Sequence, residues 1–273
     1  MSKTKISDLE KRKAIVAKLR PIDDAFFEVI MQDREVCQEV LRVILQDDKL
    51  TVEDVVPQKS IKNLQGRSVR LDAYCILGSG EHVNVEVQKE NVDNHPKRIR
   101  YNAACVTANI TDPGDNFENI PDVYIVYISR FDMFKKGKTI YHGEMYVKET
   151  GEFVDDGLHE IYVNTKIDDG SSIAELMKCF EQENVNNATF PKLSERVQDL
   201  KDGKKEDDKM CSLIEEYAKE YAKEYAKDYA KEYAEQVAIA LIHSGDADEK
   251  IHAVTKLPLE RIAELREKEM CLA

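Results

Sequence analysis

From Ile22 to Leu45 apolar residues recur at steps of three and four: Phe26, Val29, Ile30, Val36, Val40, Leu41, Ile44 and Leu45. That spacing predicts an amphipathic helical segment with one buried stripe. Asp23 or Asp24 can cap its start, and Gln32-Asp33 is a break that divides it into two helices. The period then changes to two. Val69, Leu71, Ala73 and Cys75 share one face of a predicted strand over 69–75, and Gly78-Ser79-Gly80 is a turn. In the following strand, 82–88, Val83, Val85 and Val87 lie on one face and His82, Asn84, Glu86 and Gln88 on the other. Asn94-His95-Pro96 opens a helix that runs to about Ile110, with Asn94 placed as N-cap and Pro96 in the first turn. Val123 to Ile128 is continuously β-rich, as in a strand buried on both faces. Thr139 to Val147 and His159 to Asn164 read as further strands, and Ser172 to Asn184 as a helix.

The pattern changes character near Leu200. A charged linker, 201–209, precedes a Glu-Tyr-Ala-Lys repeat over 216–233, interrupted only by Asp228. Ala, Glu and Lys favour helix. A four-residue period advances about 400° on a helix, so the repeat's tyrosines wind slowly around the axis and form no fixed core face. A spacer helix and a self-association helix both fit. Val237 to Arg266 holds two short helical patterns, broken at Ser244-Gly245-Asp246 and Leu257-Pro258. The expected organisation is a basic segment 1–20, a core 21–195, a linker and helix start 196–215, a repeat helix 216–236 and a small helical region 237–273.

Composition changes this picture little. The 273 residues are 42% hydrophobic, enough for a sizeable core, and 34% charged. No apolar run approaches the roughly 20 residues that cross a bilayer, and the N-terminus lacks the apolar stretch of a secretory signal. A cytoplasmic location without membrane contact is the expectation. Six cysteines stand without CxxC spacing or histidines at ligand distance, which predicts reduced thiols, not a zinc site or a disulfide framework. GxGxxG, GxxxxGK[ST] and HExxH are absent. The net charge of −13 argues against nucleic acid until its distribution is considered. Residues 1–20 carry seven Lys/Arg against two acids, whereas 21–56 carry ten acids against three bases. Lys59, Lys62, Arg67 and Arg70 then follow with no acid between them.

The two strands around Gly78-Ser79-Gly80 hold the candidate chemistry. A hairpin centred on Ser79 sets Tyr74 opposite Asn84, Asp72 opposite Glu86 and Arg70 opposite Gln88. Leu71, Ala73 and Cys75 then meet Val87, Val85 and Val83, and this apolar match sets the register. Cross-strand carboxylates with Cβ atoms about 5 Å apart repel each other. A divalent cation removes the penalty, and hard oxygens suit Mg2+. A solvated hairpin face with unlinked charges would produce the same spacing. Gln88 can orient water or phosphate but carries no charge. Lys89 is adjacent, and alternation points it to the opposite face. His82 reads as an exposed strand residue and His95 as part of a helix-cap region.

Asp72, then Glu86-Val87-Gln88, then Lys97-Arg98-Ile99-Arg100-Tyr101 on a helix resemble the PD-(D/E)XK nuclease family transposases, the Rpn-type recombination-promoting nucleases of bacteria. Ile22-Asp23-Asp24-Ala25-Phe26 resembles the opening helix of that group, Val123 to Ile128 its later core strand, and Gly245 to Leu265 its C-terminal region. The resemblance implies an α/β fold with a restriction-endonuclease-like mixed sheet flanked by helices, followed here by a C-terminal helical extension. It implies Mg2+-dependent DNA cleavage in the cytoplasm, on the nucleoid when bound to DNA. Asp72 and Glu86 would be the metal ligands and Gln88 a catalytic residue, with Glu28 as a possible additional acid. Gln88 stands where the wider superfamily has lysine, and Leu71-Asp72 stands in place of Pro-Asp. Arg70, Lys97, Arg98 and Arg100 would contact DNA phosphates, Arg100 above all. A homodimer formed through the C-terminal helices, as a coiled coil, would suit double-strand cleavage. A catalytically inactive DNA-binding or protein-interaction module is the alternative.

Overall fold

The computed structural model of the chain describes residues 15–57, 59–62, 68–89, 96–202 and 233–270. The proposed cap Asn94, His95, Arg67 and residues 216–232 of the repeat lie outside the described residues. Contacts divide the chain into two units, Met1–Ile214 and Glu215–Ala273.

The first unit is built on a six-stranded sheet. Two helices lead into it, α1 (Asp24–Met31) and α2 (Arg34–Ile44). The break between them is where the sequence predicts it, because Asp33 turns its carboxylate back to accept from the amides of Glu35 (3.0 Å) and Val36 (3.4 Å). Asp23 occupies the corresponding position before α1 but makes no capping bond there. Its buried carboxylate instead accepts from the Arg20 amide (2.7 Å) and pairs with Lys89 Nζ (3.3 Å). Lys89 thus points toward α1, as alternation requires.

Strands β1 (Val52–Pro57), β2 (Ser60–Lys62), β3 (Ser68–Arg70), β4 (Ala73–Leu77) and β5 (His82–Gln88) follow. Helix α3 (Pro96–Ile110) then crosses to β6 (Val123–Ser129). Next come β7 (Ile140–Gly143), β8 (Met145–Val147), β9 (Glu152–Val154) and β10 (Leu158–Asn164). Helices α4 (Ser172–Phe180) and α5 (Pro191–Asp202) close the unit. The sheet order is β1-β4-β5-β6-β10-β7. β5, β6 and β10 run parallel in the middle, and β1, β4 and β7 are antiparallel to their neighbours. This is the mixed sheet with flanking helices that the sequence predicts.

Four expectations need correction. The single strand over 69–75 is two: β3 pairs with β2, the chain bends at Leu71-Asp72, and β4 joins the main sheet. Arg70 therefore lies opposite Ser60, not Gln88. The bend also moves Leu71 away from the Ala73–Cys75 face, into a cluster with Tyr74, Ile99, Val106, Ile125 and Tyr127. The strand expected over 139–147 divides at Glu144, with β7 on the main sheet and β8 paired to β9. The helix expected to reach Asn184 stops at Phe180, and α5 was not anticipated from the sequence. Finally, the polar face of β5 is no solvated surface. β5 is an interior strand with α3 on this side, so Asn84 is 0% and Glu86 2% exposed.

The second unit is described as a helix over 233–243 (α6), α7 (Asp248–Thr255) and α8 (Leu259–Met270). Ala238, Ile242, Ile251, Leu257, Ile262 and Leu265 form its small core. Arg261 binds Glu235 (2.9 Å) and Arg266 binds Asp248 (3.0 Å), tying α8 to the other two helices. Among the described residues no helix is long and apolar enough to cross a membrane. Cys37, Cys75, Cys105 and Cys179 are buried free thiols, as predicted.

Candidate active site

The register of the β4–β5 hairpin is the predicted one: Ala73 pairs with Val85, Tyr74 with Asn84, Cys75 with Val83 and Ile76 with His82. Backbone pairing ends at Ala73 because the chain bends away. The next acceptor offered to β5 is the Asp72 side chain, whose Oδ2 takes the Val87 amide proton at 3.0 Å. A carboxylate thus continues a ladder that the backbone has left, and it does so beside Glu86.

Glu86 is held from two sides. Asn84, two residues back on the same face, donates from Nδ2 to Oε1 at 2.9 Å. Among the described residues Oε2 has no hydrogen-bond partner, and neither does Oδ1 of Asn84. The group facing Oε2 is the Arg98 guanidinium on α3, with Nη2 at 3.6 Å. Nη1 of the same arginine donates to Gln88 Oε1 at 3.4 Å. Glu86, Gln88 and Arg98 therefore form one cluster, with Asp72 at its edge.

The electrostatics follow from the burial. Loss of solvent pushes the Asp72 carboxyl well above the usual range, and the Glu86 charge adds to the rise. The Val87 amide opposes it, while Asp24 and Glu28 on α1 add smaller repulsions. Desolvation also raises Glu86, against the Asn84 hydrogen bond and the Arg98 charge. A buried carboxylate oxygen without a donor, beside a second carboxylate, is a donor set that would suit a hard cation.

The other predicted residues are placed less centrally. Glu28 is buried and pairs with Arg70 Nη2 at 3.1 Å, so the expected extra acid and one expected DNA contact meet each other. Glu28 still reaches Asp72 electrostatically. Lys97 and Arg100 are exposed on α3. Lys59 lies over the Tyr74 ring, 3.7 Å from its centroid. His82, expected in solvent, shares a hydrogen bond with the buried Tyr74 hydroxyl. Two features escaped sequence reasoning, one a residue and one a contact. Asn84 is one, and its place on the Glu86 face was the available signal. The role of Arg98 beside Glu86 is the other, and only the packing of α3 on β5 brings the two together.

A second group of possible ligands, Asp122, Asp155 and His159, has ligand atoms within 4.8 Å of one another. His159 Nε2 lies 3.3 Å from Asp122 Oδ2. No local spacing links these three residues in the sequence. Asp122 immediately precedes β6, whose Val123 pairs with His82 at the start of β5, whereas Glu86 pairs with Tyr127 four rows along. The cluster is at the other end of the sheet and is more exposed.

Residues 27–169, more than half of the chain, match the family described as PD-(D/E)XK nuclease family transposase. The chain belongs to this family. No curated protein and no solved structure matches it. Nuclease-type chemistry on DNA is what this membership suggests, and nucleases of this kind generally use a divalent metal. The matched span contains Asp72, Asn84, Glu86, Gln88 and Arg98 as well as Asp122, Asp155 and His159. Of the two acidic groups, the Asp72–Glu86 pair, with Glu86 buried and Asp72 half-buried, fits a resident cation better. It combines hard oxygen donors, mutual repulsion and an unpartnered buried carboxylate oxygen.

Proposed function

We propose that the protein is a Mg2+-dependent DNA endonuclease of the recombination-promoting type, which hydrolyses phosphodiester bonds. The observation that carries this reading is the convergence of half-buried Asp72 with buried Glu86, two acids whose pKa values desolvation raises, with Glu86 Oε2 left without a hydrogen bond.

Asp72 and Glu86 would hold the ion. When bound, a divalent cation neutralises charge developing on a phosphodiester and makes water more acidic. The chain's own groups do the rest. Asn84 fixes the rotamer of Glu86 through Oε1. The Val87 amide fixes that of Asp72. The Gln88 amide, beside the acids and uncharged at every pH, orients water or a phosphate oxygen. Lys97 and Arg100, exposed on α3, face solvent on the element that starts just after the motif, where DNA phosphates give salt-sensitive and largely sequence-independent binding. Arg70, partly exposed beside Glu28, adds a further positive group. The C-terminal unit, with the repeat before it, would bring two nuclease cores together, since each core cuts one strand.

Nicking of supercoiled plasmid tests the reading. Wild type with Mg2+ converts the substrate to open circles, and Asp72→Asn does not. Equal cleavage by both, or by neither, removes it. Gln88, in place of a charged residue, supports a second reading: a catalytically silent DNA-binding or protein-interaction module. Plasmid bound by wild type without nicking, over a range of Mg2+ and Mn2+ concentrations, would favour that reading.

A further inference from the structure

We infer that Arg98 is a catalytic residue that alternates between two anions: it stands in for the cation beside Glu86 when the site is empty, and turns to the reacting phosphate when the site is filled. This inference deepens the nuclease reading and rests on it.

Three observations point to it. First, Arg98 reaches two residues of the catalytic motif, Nη2 with Glu86 Oε2 (3.6 Å) and Nη1 with Gln88 Oε1 (3.4 Å). A residue serving only to tether DNA has no reason to face the ligand carboxylate. Second, Glu86 Oε2 is a buried oxygen with no hydrogen bond, and 3.6 Å is too long for a hydrogen bond but within reach of an ion pair. The guanidinium therefore offsets the charge of Glu86 without taking up the lone pairs that a metal would use. Third, the Arg98 side chain is 42% exposed while that of Glu86 is 2% exposed. One end of the contact is fixed and the other is free to swing toward solvent, where DNA would arrive.

Gln88 explains why such an arginine is needed. An uncharged amide cannot neutralise charge growing on a phosphate during attack. Arg98 already touches that amide, so the two side chains offer adjacent donors to one phosphate group. A guanidinium suits this task because it stays protonated and presents parallel N–H groups to a pair of oxygens. Arrival of a divalent cation between the acids would repel the guanidinium from Glu86. The same event that completes the site would then release Arg98 to the substrate.

Binding measurements separate this role from that of a DNA tether. Isothermal titration of Mn2+ into the DNA-free full-length protein should show Arg98→Ala binding the ion about tenfold more tightly than wild type, because a competing positive charge beside the ligand has gone. Arg98→Lys, which keeps the charge, should bind close to wild type. Despite its tighter ion, Arg98→Ala should cleave plasmid about 100-fold or more slowly, with Arg98→Lys recovering part of the rate. DNA affinity measured by anisotropy in EDTA should be the same for Arg98→Ala as for wild type, and weaker for Arg100→Ala. Unchanged or weaker Mn2+ binding in Arg98→Ala overturns the inference, as does a loss of DNA affinity in EDTA equal to that of Arg100→Ala. A wild type that binds Mn2+ yet cleaves nothing sinks the nuclease reading and, with it, the catalytic role assigned to Arg98. Tighter Mn2+ binding by Arg98→Ala would then show only that the guanidinium competes for the carboxylates.

Discussion

Asp72→Asn should make the metal-free protein more stable while abolishing its cleavage activity. The substitution preserves shape and leaves an amide oxygen to accept the Val87 N–H, now made at 3.0 Å to Oδ2. What it removes is a charge that burial and Glu86 both oppose. Two unit charges about 5 Å apart at an effective dielectric of 20 repel by about 3 kcal/mol. Replacing a charged acceptor by a neutral one weakens the Val87 hydrogen bond by about 1 kcal/mol. Arg98 shields Glu86 and reduces the gain further. The net stabilisation should be about 1–2 kcal/mol, a rise of about 2–8 °C in melting temperature for a unit of this size. Thermal and urea denaturation in EDTA at pH 8 measure it. Mg2+ at ten times its Kd should then stabilise wild type by about 1.4 kcal/mol and the variant by much less. An Asp72→Asn protein that is destabilised by more than about 1 kcal/mol in EDTA would show that Asp72 serves the fold. An Mg2+ shift equal to that of wild type would show that the ion binds elsewhere, with Asp122, Asp155 and His159 the next place to look.

Three further outcomes follow from the same geometry. The advantage of Asp72→Asn over wild type should shrink as the pH is lowered. A carboxyl raised by folding binds its proton more tightly in the native state, so its destabilising effect sets in as pH rises from the ordinary carboxylate range through the raised native value, and is absent below it. Paired urea titrations across that window check the sign, and a difference that grows toward acid contradicts it. Asn84→Ala removes the donor to Glu86 Oε1, so Mn2+ affinity by calorimetry should fall severalfold. The loss of stability should be about 1 kcal/mol, because Asn84 Oδ1 is already unpaired. Asp33→Ala removes a cap accepting two amides of α2 and should cost about 1 kcal/mol in urea denaturation without changing metal affinity.

Local patterns were legible wherever apolar and polar residues alternate with a regular period. The split of the first helical segment at Asp33 and the β4–β5 register are of this kind, because a one-residue slip would reverse Val83 and Val85 against Ala73 and Cys75. The same logic extends to Val123–Ile128, whose lack of alternation reports its place between two parallel neighbours. It fails at Leu71-Asp72. Alternation there continues without interruption in the sequence, while the chain leaves one strand partner for another. Helix α5 was missed because its apolar positions, Leu193, Val197 and Leu200, are few among charges and sit next to a polar linker.

The amino-acid sequence by itself determined the split of the first helical segment, the hairpin register and hence that Asp72 and Glu86 would be neighbours, because each of these depends on the pattern along a few consecutive residues. Only the tertiary structure decided that Glu86 is buried and Asp72 half-buried, since burial depends on β6 and α3, elements later in the chain, covering β5. It also decided which cation faces Glu86. Lys89, the nearest in sequence, is carried by strand alternation to Asp23, while Arg98, ten residues beyond Gln88, is returned by the first turn of a helix packed across the strand.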